Sequence, residues 1–351
     1  MKKLLLATAV AALSVSAANA APTVYGKAFL TLDLNTGDTD TKITNYAADG
    51  SVTGTSNSSV DADDRSQLNS NSSRIGLKGS EALTANTDIL YQLEYGIDVD
   101  ADGDQFYSRD TYLGLENAEY GTVVAGRLTA IDDYVNYANV TQGGVLGGDN
   151  VLASFDAPRI NNSFAYFTPE NNGLQFMAMY AMDENNSTDT LDRDGFGLGA
   201  KYETGPMNVG ASYIQARDVK AARDVKAARV SGNYAISPAV TLGALYQNTD
   251  YDTDDNENAI TISGEMATAT PWTAYAQGDF VNNYAGFEDS EAYRAVVGGK
   301  YAFNAATTGH IYGAYAGAED ETLTTYVDGT SDREEVDFDG FGIGAGIEYK
   351  F

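Results

Sequence analysis

The chain reads RDTYLGLENAEYGTVVAGRLTAIDDYVNYANVTQGGVLGGDNVLASFDAPRINNSFA over residues 109–165, and this stretch indicates the fold. It contains two short runs of alternating polarity, Tyr112–Leu115 and Thr122–Leu128, which predict two strands joined by a tight turn. A third alternating run, Arg159–Phe167, follows only after the long segment 129–156. Loops of that length inside a regular β pattern are unusual and usually have a function. We therefore expect this segment to fold into the interior of a barrel that the other strands build.

The segment 129–156 is both acidic and rich in glycine. Its acids include Asp132, Asp133 and Asp149, and its middle carries the glycines 143, 144, 147 and 148. An inward-folded loop with these charges would set the width and the charge of an opening through the barrel.

The first twenty residues have the features of a secretory signal. Lys2 and Lys3 precede an apolar run, Leu4–Val15, and Ala18–Ala20 forms a small-residue cleavage site. The run is too short to cross a bilayer as a helix. We expect a mature chain, residues 21–351, that forms one transmembrane barrel without a domain boundary.

Composition excludes several classes of protein. The net charge of -29 argues against nucleic acid as a partner, because phosphate backbones bind basic surfaces. The chain has no cysteine, and therefore no disulfide framework. Tyrosine (24) and glycine (36) are abundant while proline (6) is scarce, which suits a hydrogen-bonded sheet with aromatic belts.

Alternation of period two recurs along the whole chain. In the first run Ala28, Leu30 and Leu32 share one face, and Lys27, Thr31 and Asp33 share the other. Counting such runs gives about sixteen strands, within the even-numbered range of membrane barrels. The predicted fold class is all-β, a 16-stranded antiparallel transmembrane β-barrel with its long third loop in the lumen.

The connections between the runs also alternate, between short and long. Tight turns are expected at 170–173, 204–206, 237–239, 269–271 and 304–306. Longer acidic loops are expected at 183–194, 250–257, 282–290 and 318–337, and a long polar segment covers 35–64. A membrane barrel with short periplasmic turns and long extracellular loops has this arrangement.

A tandem repeat, RDVKAA at 217–222 and again at 223–228, falls where a long loop is expected. The favoured interpretation is a duplication that a loop tolerates. The alternative is a basic patch near the mouth of a pore, formed by Arg217, Lys220, Arg223, Lys226 and Arg229.

Four motifs in this order resemble the Gram-negative general diffusion porins: VYGKAFLTLDL from Val24, RIGLKG from Arg74, YLGLENAEYGTVVAGR before the long loop, and the terminal Phe351. The resemblance covers essentially all of the mature chain. It implies a homotrimer of sixteen-stranded barrels in the outer membrane, each passing ions and small hydrophilic solutes passively, without a cofactor or catalysis.

The resemblance also implies a ladder of basic wall residues opposite acids of the inward loop. The matching basic positions are Lys27, Arg74, Arg109 and Arg159, and the candidate acids are Asp132, Asp133 and Asp149. Such opposed charges polarise a narrow passage and bias which ions enter. Arg109 shares the parity of two leucines in its run, which a bulge or a contact with a neighbouring subunit would explain. Arg127 would line the lumen or support the loop.

Two other features suggest chemistry, and both have simpler interpretations. His310 is the only histidine and has no nucleophile motif beside it, so a lumen or interface residue is favoured over an enzyme site. The run Asp98–Asp104 lacks the twelfth-position acid of a calcium loop and is favoured as a solvated loop.

Three functions remain as alternatives to general diffusion. They are a substrate-specific channel for a sugar or phosphate, an outer-membrane enzyme, and a soluble secreted β protein. The many loop acids further suggest divalent cations that connect the protein to anionic lipopolysaccharide.

Overall fold

The computed structural model describes residues 22–144, 146, 150–182, 194–218, 223–253 and 255–351, so the expected signal peptide, residues 1–20, lies outside it. Within these ranges the chain forms one antiparallel sheet of seventeen strands. Their bounds are β1 Thr23–Tyr46, β2 Val52–Ser70, β3 Arg74–Ala82, β4 Thr87–Ile97, β5 Phe106–Asn117, β6 Gly121–Thr129, β7 Arg159–Phe167, β8 Leu174–Ala181, β9 Gly195–Thr204, β10 Met207–Asp218, β11 Arg223–Ser237, β12 Val240–Asp250, β13 Glu257–Ala267, β14 Trp272–Asn282, β15 Glu291–Ala302, β16 Thr307–Thr325 and β17 Ser331–Lys350.

The sheet closes on itself because β1 pairs with β17 along most of its length, from Lys27 opposite Lys350 to Tyr46 opposite Ser331. On its other edge β1 pairs first with β3 and then with β2. β2 and β3 therefore lie end to end as one strand of the wall, and the closed barrel has sixteen strands. The predicted all-β, 16-stranded antiparallel barrel is confirmed.

Apolar side chains face outward and polar side chains face inward. In β13, Ile262 is 65% exposed, while its neighbours Thr261 and Ser263 are buried. In β1, Leu32 is 54% exposed and Asp33 is fully buried. This polarity is opposite to that of a water-soluble domain and matches a barrel whose outer surface contacts lipid.

Aromatic side chains mark two levels on the outer surface. Trp272 and Tyr301 lie edge to face at the end with short turns, with ring centroids 5.1 Å apart. Tyr293 and Tyr315 meet at 6.0 Å near the other end. Phe280, opposite Tyr293, lies ~26 Å along β14 from Trp272 at a rise of ~3.3 Å per residue. Strand tilt shortens this span to about 20 Å along the barrel axis. The apolar band of a membrane barrel is about 25 Å tall, so the two values are close.

The five expected tight turns all lie between consecutive strands at one end of the barrel. The prediction of a long loop at 318–337 was wrong, because β16 continues to Thr325 and β17 begins at Ser331. The polar segment 35–64 likewise forms much of the hairpin β1–β2. These strands project beyond the bilayer, where both faces of the sheet contact water, so their sequences show no apolar face. Among the described residues, no helix is long and apolar enough to cross a membrane.

The RDVKAA repeat is not confined to a loop, because its second copy, 223–228, begins β11. Among the described residues, the first two positions of each copy pair with each other across the hairpin, with Arg217 opposite Asp224. Their side chains form an ion pair of 3.0 Å, and Lys226 pairs with Asp250 at the same distance. A duplicated Arg-Asp dipeptide is self-complementary in an antiparallel hairpin, which explains how the insertion is accommodated.

Candidate functional site

The segment between β6 and β7 begins with a short 3₁₀ helix, Ile131–Val135, that packs against the barrel wall. Ile131 and Val135 are fully buried. Their contacts include Gly199 of β9 and Gly210 of β10, where an added Cβ would lie 2.6 Å from Ile131 and 2.7 Å from Val135. Gly199 alternates with the outward-facing Leu198, so the helix contacts the inner face of the wall. Glycine at these wall positions is what lets the segment approach so closely.

Polar side chains of the wall hold the backbone of the segment. Gln277 accepts a hydrogen bond from the backbone N–H of Val140 at 2.9 Å and donates one to the carbonyl of Asn150 at 3.1 Å. Gln247 donates to the carbonyl of Phe155 at 2.6 Å. Both limbs of the segment are thus bound to the inner face of β12 and β14, and buried backbone groups receive the partners that they require.

A buried arginine joins the two ends of the segment. The Nη2 of Arg229, on β11, lies 2.5 Å from Oδ1 of Asp156 and 3.5 Å from Oδ2 of Asp132. Its Nη1 donates to the backbone carbonyl of Asp132 at 3.2 Å. The Asp132 carboxylate also accepts the N–H of Ala157 at 2.7 Å. Burial raises the pKa of Asp132 to about 6, although the Arg229 charge opposes that rise.

A second buried ion pair holds the segment at Asn150. Arg294 and Asp279 pair at 2.9 Å with both side chains nearly inaccessible to water. Arg294 also donates to the carbonyl of Asn150. On β13, Glu257 accepts the N–H of Ser154 at 3.1 Å and the N–H of Ala285 at 2.8 Å.

The opposite side of the segment borders a polar cavity of about 390 Å³. Arg74, Arg109 and Arg159 line it from the wall, and Asp133 and Asp156 line it from the segment. The Asp133 side chain contacts water in the cavity, but protein atoms surround the cavity closely. This enclosure and the nearby Asp156 charge raise the pKa of the Asp133 carboxyl above its ordinary value. The cavity therefore has basic groups on one side and acidic groups on the other.

The wall arginines at this cavity are themselves paired with wall acids. Glu94 of β4 forms ion pairs with two arginines: its Oε1 lies 2.5 Å from Nε of Arg109, and its Oε2 lies 3.7 Å from Nε of Arg74. Asp110 lies 2.7 Å from Arg159. The wall is consequently less positive than its arginines alone suggest.

Comparison with known proteins identifies the family. Residues 7–323 match the sequence profile of the Gram-negative porins. The chain belongs to the Gram-negative porin family. An outer membrane porin protein of Bordetella pertussis is 29% identical over 232 residues, covering 61% of this chain and 60% of that protein.

Two solved structures have the same fold as this porin. The anion-selective porin from Comamonas acidovorans is 20% identical with a TM-score of 0.64, over 95% of this chain and all of that one. A loop L8 deletion mutant of OmpT, an outer membrane protein of Vibrio cholerae, is 18% identical with a TM-score of 0.65 over the same shares. The predicted family and outer-membrane location are confirmed.

A bulge explains the parity of Arg109 in this porin. The register between β4 and β5 shifts between Leu93 opposite Thr111 and Tyr95 opposite Ser108, so β5 has one extra residue there. Arg109 is buried on the lumen side, although the leucines that share its parity, Leu113 and Leu115, face outward. The bulge is one of the two explanations that the sequence had left open.

Three predicted site residues of the porin are not among those lining the polar cavity. Lys27 pairs with Glu348 at 3.3 Å, and its backbone faces that of Arg74 across the β1–β3 pair. Asp132 turns toward Arg229, as described above. Asp149 lies outside the described residues.

His310 is buried on the inner face of β16, with its ring 4.7 Å from that of Phe29. Neither imidazole nitrogen has a hydrogen-bond partner within the described part of the chain. There, no group of three or more His, Cys, Asp or Glu residues is arranged to hold a metal ion, and this includes Asp98–Asp104.

The sequence analysis did not identify Glu94, Asp110, Asp156 or Arg294, which all form ion pairs in the lumen. It named Arg229 only as a member of the alternative basic patch, whereas the structure pairs this side chain with Asp132 and Asp156. Glu94 and Arg294 alternate with apolar residues in their strands, which marks them as lumen residues. Their partners depend on which strands are neighbours and in which register, and one sequence does not give either.

Proposed function

We propose that this porin is a passive channel for ions and small hydrophilic solutes across the outer membrane. The observation that carries the proposal is the polar cavity between Arg74, Arg109 and Arg159 on the wall and Asp133 on the segment 129–156. The segment folds into the lumen and forms the narrowest part of the water path. No covalent chemistry or cofactor takes part.

Opposed charges at this constriction select solutes by polarity. Arginines and carboxylates on facing sides orient water across the gap, so an apolar solute would have to displace ordered water without replacing its hydrogen bonds. Small polar solutes and hydrated ions replace these interactions and pass. The pairing of Arg109 with Glu94 and of Arg159 with Asp110 reduces the local positive charge. We therefore expect weak rather than strong preference between anions and cations.

Conductance in planar bilayers tests the proposal directly. The purified protein should insert to give discrete, ohmic current steps in KCl, and sugars of increasing size should reduce the conductance up to a sharp size limit. A protein that inserts stably but carries no steady current would overturn the proposal.

We also propose that the porin is a homotrimer, as the family resemblance implies. Each barrel would conduct independently, so the current should close in three equal steps. Crosslinking in native membranes should give a band of three subunits that heating converts to monomer. Single-step closures with a monomeric crosslinking pattern would contradict the trimer.

Divalent cations are proposed to connect the projecting strands to lipopolysaccharide. Asp38 lies opposite Asp339, and Asp40 lies opposite Asp337, all on the face that carries the lipid-facing residues lower in the same strands. Like charges directly opposite each other destabilise a sheet unless a cation offsets them. Chelation of divalent cations should weaken co-purification of lipopolysaccharide, and neutral Asn at Asp38 and Asp339 should remove that dependence.

A further inference from the structure

A second cavity lies behind the loop segment, at the end of the barrel with the long loops. Its volume is about 570 Å³, in the range of small-molecule sites. The end of β8 and the start of β9 border it. Most of its lining is apolar, and includes Ile131, Phe155, Ile160, Met179, Ile214 and Val225. A largely apolar pocket beside the segment that borders the polar cavity is unexpected, because its surface gains nothing from contact with water.

One wall of this pocket carries a cation without a counter-ion. Arg127 of β6 lines the pocket and donates one hydrogen bond, from Nη1 to Oδ1 of Asn161 at 2.6 Å. Among the described residues, no carboxylate forms an ion pair with Arg127, and its buried Nε has no acceptor. A buried donor on a charged group is costly when it is left unsatisfied. That Nε is itself shielded from solvent, so a ligand would reach the guanidinium through its terminal Nη groups. A carboxylate suits a guanidinium that pairs with no carboxylate among the described residues.

The pocket also adjoins the constriction. Arg159 lines both the apolar pocket and the polar cavity, and Ile131 and Phe155 belong to the segment that separates them. A molecule held in the pocket would therefore lie directly behind the segment that borders the polar cavity, in contact with the Arg159 that both spaces share.

We propose that this pocket binds amphipathic carboxylates, with the aromatic or aliphatic body among the apolar residues and the carboxylate on Arg127. This inference rests on the proposed channel function, because it names a class of solute that the channel protein would bind in this pocket. A sugar would leave the apolar lining without a partner, and an organic cation would face Arg127 and Arg159. Binding is weak and reversible, as passage requires.

Three related probes separate the two halves of the site. 4-Phenylbutyrate has both the ring and the carboxylate, butyrate lacks the ring, and 4-phenylbutan-1-ol lacks the charge. In bilayers with KCl, 4-phenylbutyrate should reduce the current at concentrations at which neither partial probe has an effect. Saturation-transfer NMR on the detergent-solubilised porin, without any current, should show contact between its ring protons and the protein.

Two variants test the two parts of the pocket. Arg127→Gln keeps a partner for Asn161 but removes the charge, and should raise the half-blocking concentration of 4-phenylbutyrate about tenfold. Ala216→Phe fills the apolar part and leaves every charge in place, and should abolish the block. Lys226→Gln is the matched control, because it removes a positive charge at the same end of the barrel from a residue that pairs with Asp250 outside the pocket.

The outcomes separate this inference from the channel proposal. Normal KCl steps with no block and no NMR contact would overturn the pocket and leave the channel intact. Equal block in wild type, Arg127→Gln and Ala216→Phe would also overturn it. Saturation-transfer contact in a protein that carries no current would support the pocket and refute the channel.

Discussion

Arg229 lies 2.5 Å from Asp156, and this contact ties the end of the loop segment to the wall strand β11. The same guanidinium reaches Asp132 at the start of the segment. All three side chains are nearly inaccessible to water. One buried cation on the wall therefore holds both ends of the segment.

Replacement of Arg229 by Met should loosen the segment and widen the channel. Two carboxylates would remain buried without a counter-ion. Removing one partner of a buried ion pair lowers the free energy of unfolding by roughly 3–5 kcal/mol, and we expect a loss of about that size here. We expect a lower thermal unfolding temperature in detergent and a larger, noisier single-channel conductance. Arg333→Met is the control, because Arg333 pairs with Glu321 on the projecting hairpin, where water screens the ion pair and its loss should change stability little. Equal effects of the two changes would contradict the assignment.

Asp132 and Asp156 should respond differently to neutralisation at pH 8. The folded-state pKa of Asp132, about 6, exceeds the ordinary value, so the folded protein favours the protonated form and loses stability as pH rises through 6. Asp132→Asn removes that cost and still accepts the Ala157 N–H, so its unfolding temperature should equal or exceed that of wild type. Asp156→Asn loses the short ion pair and should unfold at a lower temperature. Thermal unfolding of both variants at pH 8 tests this prediction. A lower unfolding temperature for Asp132→Asn than for Asp156→Asn would contradict it.

Neutral residues at Arg74 and Arg159 should raise the permeability of cations over anions. Both guanidiniums line the polar cavity, and their removal leaves Glu94, Asp110 and Asp133 less compensated. Reversal potentials in a KCl gradient measure the effect. Lys42→Gln, on the projecting hairpin, removes an equal charge far from the cavity and should leave the potential unchanged. An unchanged potential in the double variant would remove these arginines from the constriction.

Acidification should shift selectivity toward anions through Asp133. Its raised pKa means that it takes up a proton at a higher pH than an ordinary aspartate, which removes negative charge beside Arg159. The anion-to-cation permeability ratio should rise as the pH falls from 7 toward the range in which ordinary aspartates titrate, and Asp133→Asn should suppress most of that rise. Asp328→Asn is the control, because hydrogen bonds from Thr330 lower the pKa of Asp328 and keep it ionised over this range. A wild-type ratio that is independent of pH would exclude Asp133 from the ion path.

Gly199→Val should displace the 3₁₀ helix from the wall. A Cβ at Gly199 would lie 2.6 Å from Ile131, closer than side-chain contacts permit. The added side chain should push the 3₁₀ helix away from its contacts with the wall and toward the lumen. The conductance should therefore change. Gly278→Val is matched to it, since Gly278 is also in a wall strand but has open space at the Cβ position and faces outward. If both variants conduct as wild type does, the helix is not fixed by this contact.

The number of strands, the inward and outward faces and the position of the tight turns follow from the sequence. In a membrane barrel each side chain faces either lipid or water, so residues such as Leu32 and Asp33 alternate visibly. The same reasoning failed for 318–337, because both faces of a strand beyond the bilayer contact water. Arg74, Arg109 and Arg159 were found through a family resemblance, and the structure brings them to one cavity with Asp133.

Only the tertiary structure decided how the lumen charges pair. Arg229 meets Asp132 and Asp156, and Arg109 meets Glu94, because closure of the barrel brings strands distant in sequence around one enclosed space. A sequence determines each residue's face by local periodicity, which depends on its immediate neighbours. The partner of a charge depends on strand register, on a one-residue bulge and on the course of a long loop, and these are fixed only when the whole wall is assembled.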